Sequence, residues 1–177
     1  MTKSDEWFTP NWLLSWLPEI ALDPCWSEHS HVVATERYDI TKGQDGLALS
    51  WEIVWPANPD TDIVFCNPPY SDCSRWVKRC NEQSKEHSQC IVSLIPAKPG
   101  EVYWKKYIWE QAKYIGFLPG RLKFDRQGND KPGTGTFGSA LIIWGNWETA
   151  MNAMQTIQSR SKGHKHKPYF VKALDGY

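Results

Sequence analysis

The chain has 177 residues, enough for one domain with a real core and too few for two comfortable ones. Twenty Lys and Arg balance twenty Asp and Glu, so the global field announces no nucleic-acid partner and any such contact must come from a local patch. An acidic N-terminus without an apolar core argues against a secretory signal, no apolar run approaches a membrane span, and five cysteines without a Cys-x-x-Cys pair read as reduced thiols of a cytoplasmic protein rather than a disulfide or zinc framework.

In chain order, Thr9 reads as the N-cap of a helix and Pro10 as its first residue. Trp12, Leu13, Trp16 and Leu17 form its apolar stripe, and Pro18 ends it. Ile20-Ala21-Leu22 predicts a short strand closed by a turn at Asp23-Pro24-Cys25, and Val32 to Tyr38 a second strand with Glu36 at its end. Gln44-Asp45-Gly46 is a turn signal, followed by Leu47, Leu49 and Trp51. Ile63 to Cys66 is nearly all apolar, as in the centre of a parallel sheet. Residues 71–87 have helical spacing, with Trp76, Val77 and Cys80 facing inward. Cys90 to Ile95 is another buried strand, 101–112 a helix, and Lys113 to Phe117 a strand. Arg121 to Phe124 continues extended into a polar, glycine-rich loop over 125–136. Phe137 to Trp144 reads as the final strand and 147–160 as a helix. The basic run Lys162 to Lys167, with His164 and His166, reads as exposed. The expectation is a single α/β domain over 1–160, with a mixed, mostly parallel sheet and helices on both faces, and a basic tail over 161–177.

The most specific run is Asn67-Pro68-Pro69-Tyr70, placed directly after the buried strand. Two prolines fix two successive φ angles and remove two backbone donors, and the residue before each is held extended. The predicted tip carries free carbonyls, one side-chain amide and one exposed aromatic ring. Two acceptors and a stacking surface suit a flat amino group on a heterocycle. Such an amine is a poor nucleophile because its lone pair conjugates with the ring. Two acceptors, the Asn67 side-chain oxygen and the Pro68 carbonyl, stabilise positive charge as the nitrogen becomes tetrahedral.

Asn-Pro-Pro-Tyr resembles the motif of amino-methyltransferases that act on adenine, cytosine or glutamine amide nitrogen. Together with Asp5-Glu6-Trp7-Phe8-Thr9-Pro10, Leu22-Asp23-Pro24-Cys25, Asp45-Gly46-Leu47 and Gly120-Arg121-Leu122-Lys123-Phe124, the chain resembles the phage-type DNA adenine methyltransferases (Dam-like). The resemblance implies a Rossmann-like class I methyltransferase fold, S-adenosylmethionine as cofactor, and DNA as substrate, with adenine flipped from the duplex and stacked on Tyr70. It places Asn67, Pro68, Pro69 and Tyr70 at the catalytic tip. Trp7, Thr9 and Pro10 go beside the cofactor's methionine carboxylate, and Asp23, with Pro24 and Cys25, at its ammonium group. Asp45, Gly46 and Leu47 go at its adenine, and Glu36 or Asp39 at its ribose. Arg121, Lys123, Arg126 and Lys131 are candidates for a phosphate-binding patch. The glycine-rich turn that follows the acidic strand end in larger methyltransferases is replaced here by Cys25-Trp26-Ser27-Glu28. Open alternatives are a cytosine, RNA or protein-glutamine substrate, and a binding module without catalysis.

Overall fold

The computed structural model describes residues 7–124, 133–134 and 137–173. In chain order the elements are α1 (Asn11–Leu14), β1 (Ile20–Trp26), β2 (Glu36–Asp39), β3 (Ile63–Cys66), α2 (Cys73–Glu86), β4 (Ile91–Pro96), α3 (Val102–Trp104), β5 (Tyr114–Leu118), β6 (Lys123–Phe124), β7 (Gly133–Thr134), β8 (Ser139–Trp144), α4 (Trp147–Arg160) and β9 (Tyr169–Lys172). A seven-stranded sheet has the order β2-β1-β3-β4-β8-β5-β9. The pairs among β2, β1, β3 and β4 are parallel; β8 pairs antiparallel with both β4 and β5, and β9 antiparallel with β5. The sheet is therefore mixed, and β5 runs in the same direction as β3 and β4.

The two-residue period of the central strands explains the layers. In β3, Val64 and Cys66 face one core with Trp76, Val77 and Cys80 of α2 and Trp104 of α3. Ile63 and Phe65 face the other, with Leu13 of α1 and Ala150, Ala153 and Ile157 of α4. Both faces are covered, which is why β3, β4 and β8 are buried throughout and nearly all apolar rather than alternating, Ser93 and Ser139 being the exceptions. Each fully buried aliphatic side chain in these layers contributes roughly 1.5–3 kcal/mol.

Several elements differ from the expectation. The helix at the N-terminus has only four residues, with Pro10 rather than Thr9 at its cap and no side-chain cap bond. Pro10 holds Thr9 extended, and the Thr9 hydroxyl is engaged elsewhere. The strand opened by Ile20 does not turn at Asp23 but continues to Trp26. A register shift between Asp23 and Trp26 accommodates Pro24, which has no N–H to offer a neighbour. The helix expected over 101–112 is one short α-turn followed by a π-helical turn, Lys105–Trp109. Lys123 and Phe124 leave the main sheet and pair with β7.

The residues expected as a basic tail include β9, whose pairing with β5 extends the sheet. His164 and His166 are half-buried against Trp12, with ring centroids 4.7 Å and 5.3 Å away. β9 has only four residues and is mostly exposed, so its Tyr169-Phe170-Val171 run is too short to stand out from the basic stretch around it.

Candidate active site

Strand order reverses between β1 and β3: from β1 the chain goes outward to β2, then back across to β3. The crevice beyond the carboxyl ends of such strands is where open α/β sheets bind ligands. Here it brings Asp23, Pro24 and Cys25 of β1 against Asn67. Cys25 Sγ donates to the Asn67 carbonyl at 3.3 Å and lies 3.7 Å from Cys66 Sγ.

Asn67 is the centre of the arrangement. Its Nδ2 donates to the Trp7 carbonyl at 2.8 Å and to Thr9 Oγ1 at 3.0 Å. A carbonyl oxygen can only accept, so the Trp7 contact decides which end of the amide is nitrogen. The other end, Oδ1, is buried and has no hydrogen-bond partner. Leaving a buried acceptor unpaired costs about 1–3 kcal/mol, so such an atom calls for a donor supplied from outside. Asn67 lines a cavity of about 40 Å³ with Trp7, Thr9, Asp23 and Pro69.

That cavity meets a larger one, of about 210 Å³, at Cys25 and Pro69. Pro24, Trp26, Tyr38, Ile40, Leu47 and Trp76 give the larger cavity apolar walls, and Asp45 and Gly46 also line it. The turn is held locally by Asp45, whose Oδ1 accepts from Leu47 N at 2.9 Å. Gly46 is required by close approach: a Cβ there would lie 1.9 Å from the Pro24 carbonyl oxygen. Trp51 Nε1 donates to the Gly46 carbonyl at 2.7 Å.

Two buried glutamines anchor the segment that follows. Gln83 Oε1 accepts from Trp51 N at 2.6 Å, Gln89 Oε1 from Ile53 N at 3.0 Å, and Gln89 Nε2 donates to Trp51 O at 2.5 Å. These side chains replace a neighbouring strand for backbone that belongs to none. Neither glutamine carries a motif, and the sequence reading passed over both.

Asp23 is almost fully buried, with one oxygen accepting from Cys25 N at 3.1 Å. Burial dominates over that bond and raises its carboxyl from 3.8 to about 7. The cysteines are equally removed from ionisation. Cys25 is raised to about 11 through burial and the neighbouring Asp23 and Cys80, against the lowering contact with Cys66, and burial raises Cys66 well above the thiol range.

Glu36 opens β2 instead of closing it, is exposed, and lines none of the three cavities at this edge; Asp39 closes the strand. Asp39 lines a neighbouring cavity of about 480 Å³. Its carboxylate accepts from Thr41 Oγ1 at 2.6 Å and from Thr41 N at 3.0 Å, and these bonds lower its pKa. Tyr70 is half-buried rather than exposed. Its ring stacks at 6.4 Å on Trp7 and meets the edge of Phe124 at 6.0 Å, and burial raises its hydroxyl far above the phenol range. Arg121 and Lys123 are exposed beside Phe124. Arg126 and Lys131 lie outside the described residues.

A family model described as DNA N-6-adenine-methyltransferase (Dam) matches residues 1–167. The chain belongs to this family. Searches of curated proteins and of solved structures returned no match. The Dam match runs from the N-terminal segment through the basic stretch, so it covers Trp7 and Thr9, the Asn67 tip and His166 alike. The family places adenine in DNA as the methyl acceptor, and among the described residues of this Dam-family chain no helix is long and apolar enough to cross a membrane.

Proposed function

We propose that this Dam-family protein is a Rossmann-like, class I methyltransferase that uses S-adenosylmethionine to methylate the exocyclic amino nitrogen of adenine in duplex DNA. The unpaired, buried Oδ1 of Asn67 carries the reading. Its amide is fixed by Trp7 and Thr9, so the acceptor is aligned before substrate arrives and costs no reorganisation during reaction.

The donor set fits the cofactor. Asp23, buried with its charged form disfavoured, gains most from a neighbouring ammonium group, which would favour the carboxylate. The apolar walls at Leu47, Trp76 and Pro69, with backbone brought close at Gly46, suit a flat adenosyl group. Asp39 replaces Glu36 as the candidate for the ribose, since it stands at the end of β2 on this edge. S-adenosylmethionine supplies the electrophilic methyl group when bound.

Asn67 Oδ1 and the Pro68 carbonyl accept the two hydrogens of the adenine amino group. They stabilise positive charge on those hydrogens as the exocyclic nitrogen's lone pair leaves conjugation with the ring to take the methyl group, after which one of the two hydrogens departs as a proton. Pro68 and Pro69 keep the tip from relaxing away. Tyr70 offers one ring face to the flipped base while Trp7 and Phe124 fix its tilt. Thr9 and Trp7 thereby act on Asn67 rather than on the cofactor carboxylate, and a four-residue α1 adds little dipole there.

The test is tritium transfer from labelled S-adenosylmethionine to unmethylated duplex DNA, wild type beside Asn67→Ala, followed by nucleoside analysis. Label in N6-methyladenine for wild type only is expected. Transfer retained by the variant refutes the role of Asn67, and label in another nucleoside refutes the substrate.

A further inference from the structure

We propose that the cleft between the end of β5 and the turn after α4 binds backbone phosphates of the DNA duplex whose adenine enters the site. It is a cavity of about 330 Å³ lined by Trp12, Arg121, Lys123, His164, Lys165 and His166. These residues come from three separated parts of the chain, and among the described residues no carboxylate lines the cavity. In a chain of zero formal net charge, the collection of Arg121, Lys123 and Lys165 around one opening is a local field the composition hides.

The cleft is built, not a chance gathering of side chains. His166 Nδ1 lies 2.7 Å from the Pro119 carbonyl, which only accepts, so Nδ1 carries the proton. This bond ties the C-terminal segment to the end of β5. The backbone N–H of His166 donates to His164 Nδ1 at 3.2 Å, so His164 carries its proton on Nε2 and is a neutral donor. Both rings stack on Trp12, at interplanar angles of 23° and 19°. One oriented N–H donor, Nε2 of His164, on an aromatic floor rimmed by three cations matches phosphate oxygens.

The position fits the same ligand. β5 is codirectional with β3, so Leu118 and Cys66 end on one edge of the sheet. Lys123 is followed by Phe124, whose ring contacts both Tyr70 and Trp7. Phosphates flanking a base on Tyr70 reach this cleft without crossing the sheet. The inference rests on DNA being the substrate, and the experiment separates the two.

Binding of a fluorescein-labelled duplex is followed by anisotropy across a salt series for wild type, Arg121→Gln/Lys165→Gln, and the control Lys105→Gln/Lys106→Gln on the other face of the sheet. Each phosphate contact contributes about 0.9 to the slope of log affinity against log salt. The cleft variant should lose about 1.8 of that slope and bind all duplex sequences more weakly, with the control unchanged. An unchanged slope in the cleft variant, or an equal loss in the control, overturns the cleft. Tritium transfer by wild type in the same preparations assigns any failure: transfer present with no slope change sinks the cleft alone, and slope change with no transfer sinks the methylation reading while the cleft stands.

Discussion

Replacing Asp23 with Asn should stabilise the protein without ligand and abolish its cofactor affinity. The folded chain holds this carboxyl at about 7 against an ordinary 3.8 because burial disfavours the charge. Below pH 4 both folded and unfolded chains keep the proton, and nothing is lost. As pH rises the unfolded chain releases its proton first, so the wild type loses about 1.4 kcal/mol of stability per pH unit. The loss levels off above pH 7 at about 4 kcal/mol, when both states are ionised. The Asn variant has no such loss, and its amide oxygen can still accept from Cys25 N. Urea unfolding at pH 5, 6, 7 and 8 measures the difference in midpoint stability between the two proteins. Any fixed cost of the amide moves all four points equally, so the signal is the widening gap between pH 5 and 7. A gap that does not change with pH refutes the reasoning. Calorimetry on the wild type adds a second sign: S-adenosylmethionine affinity should rise about tenfold per unit up to pH 7 and then flatten, because pairing with an ammonium group requires the proton to leave.

Thr9→Val should lower kcat about tenfold with little change in KM for S-adenosylmethionine, since one orienting hydrogen bond to Asn67 is worth about 1–1.5 kcal/mol; Thr9→Ser should restore it. A rise in cofactor KM with kcat intact would return Thr9 to the cofactor. Gly46→Ala should destabilise by roughly 3 kcal/mol, at the upper end of overpacking penalties, because its Cβ collides with the Pro24 carbonyl; an unchanged urea midpoint would contradict the close packing. Cys25, with its pKa near 11, has roughly one thiolate in three thousand at pH 7.5, so iodoacetamide should label it slowly in the native protein and fast after denaturation, by mass spectrometry. Rapid native labelling would show that the thiol is not held as described.

The sequence by itself determined what depends on neighbouring residues. The apolar runs of β3, β4 and β8 declare strands buried on both faces, because apolar side chains fill nearly every position and only serine, Ser93 and Ser139, breaks them. The spacing of Trp76, Val77 and Cys80 declares the inner face of α2. Asn67-Pro68-Pro69-Tyr70 declares a stiff tip, because proline fixes φ whatever surrounds it. Tertiary structure decided what depends on partners far away in the chain. Thr9 sits 58 residues from the amide it orients, and its sequence context signals a helix cap instead. Gln83 and Gln89 stand in for a strand that has no sequence of its own. Asp39, not Glu36, closes the second strand because strand ends are set by pairing with β1, not by the apolar pattern of Val32 to Tyr38. Arg121 and Lys123 join His164 and His166 only because β5 and the turn after α4 end on the same edge of the sheet. Side-chain bonds across such distances leave no periodicity, whereas backbone restriction and burial of a strand are written residue by residue.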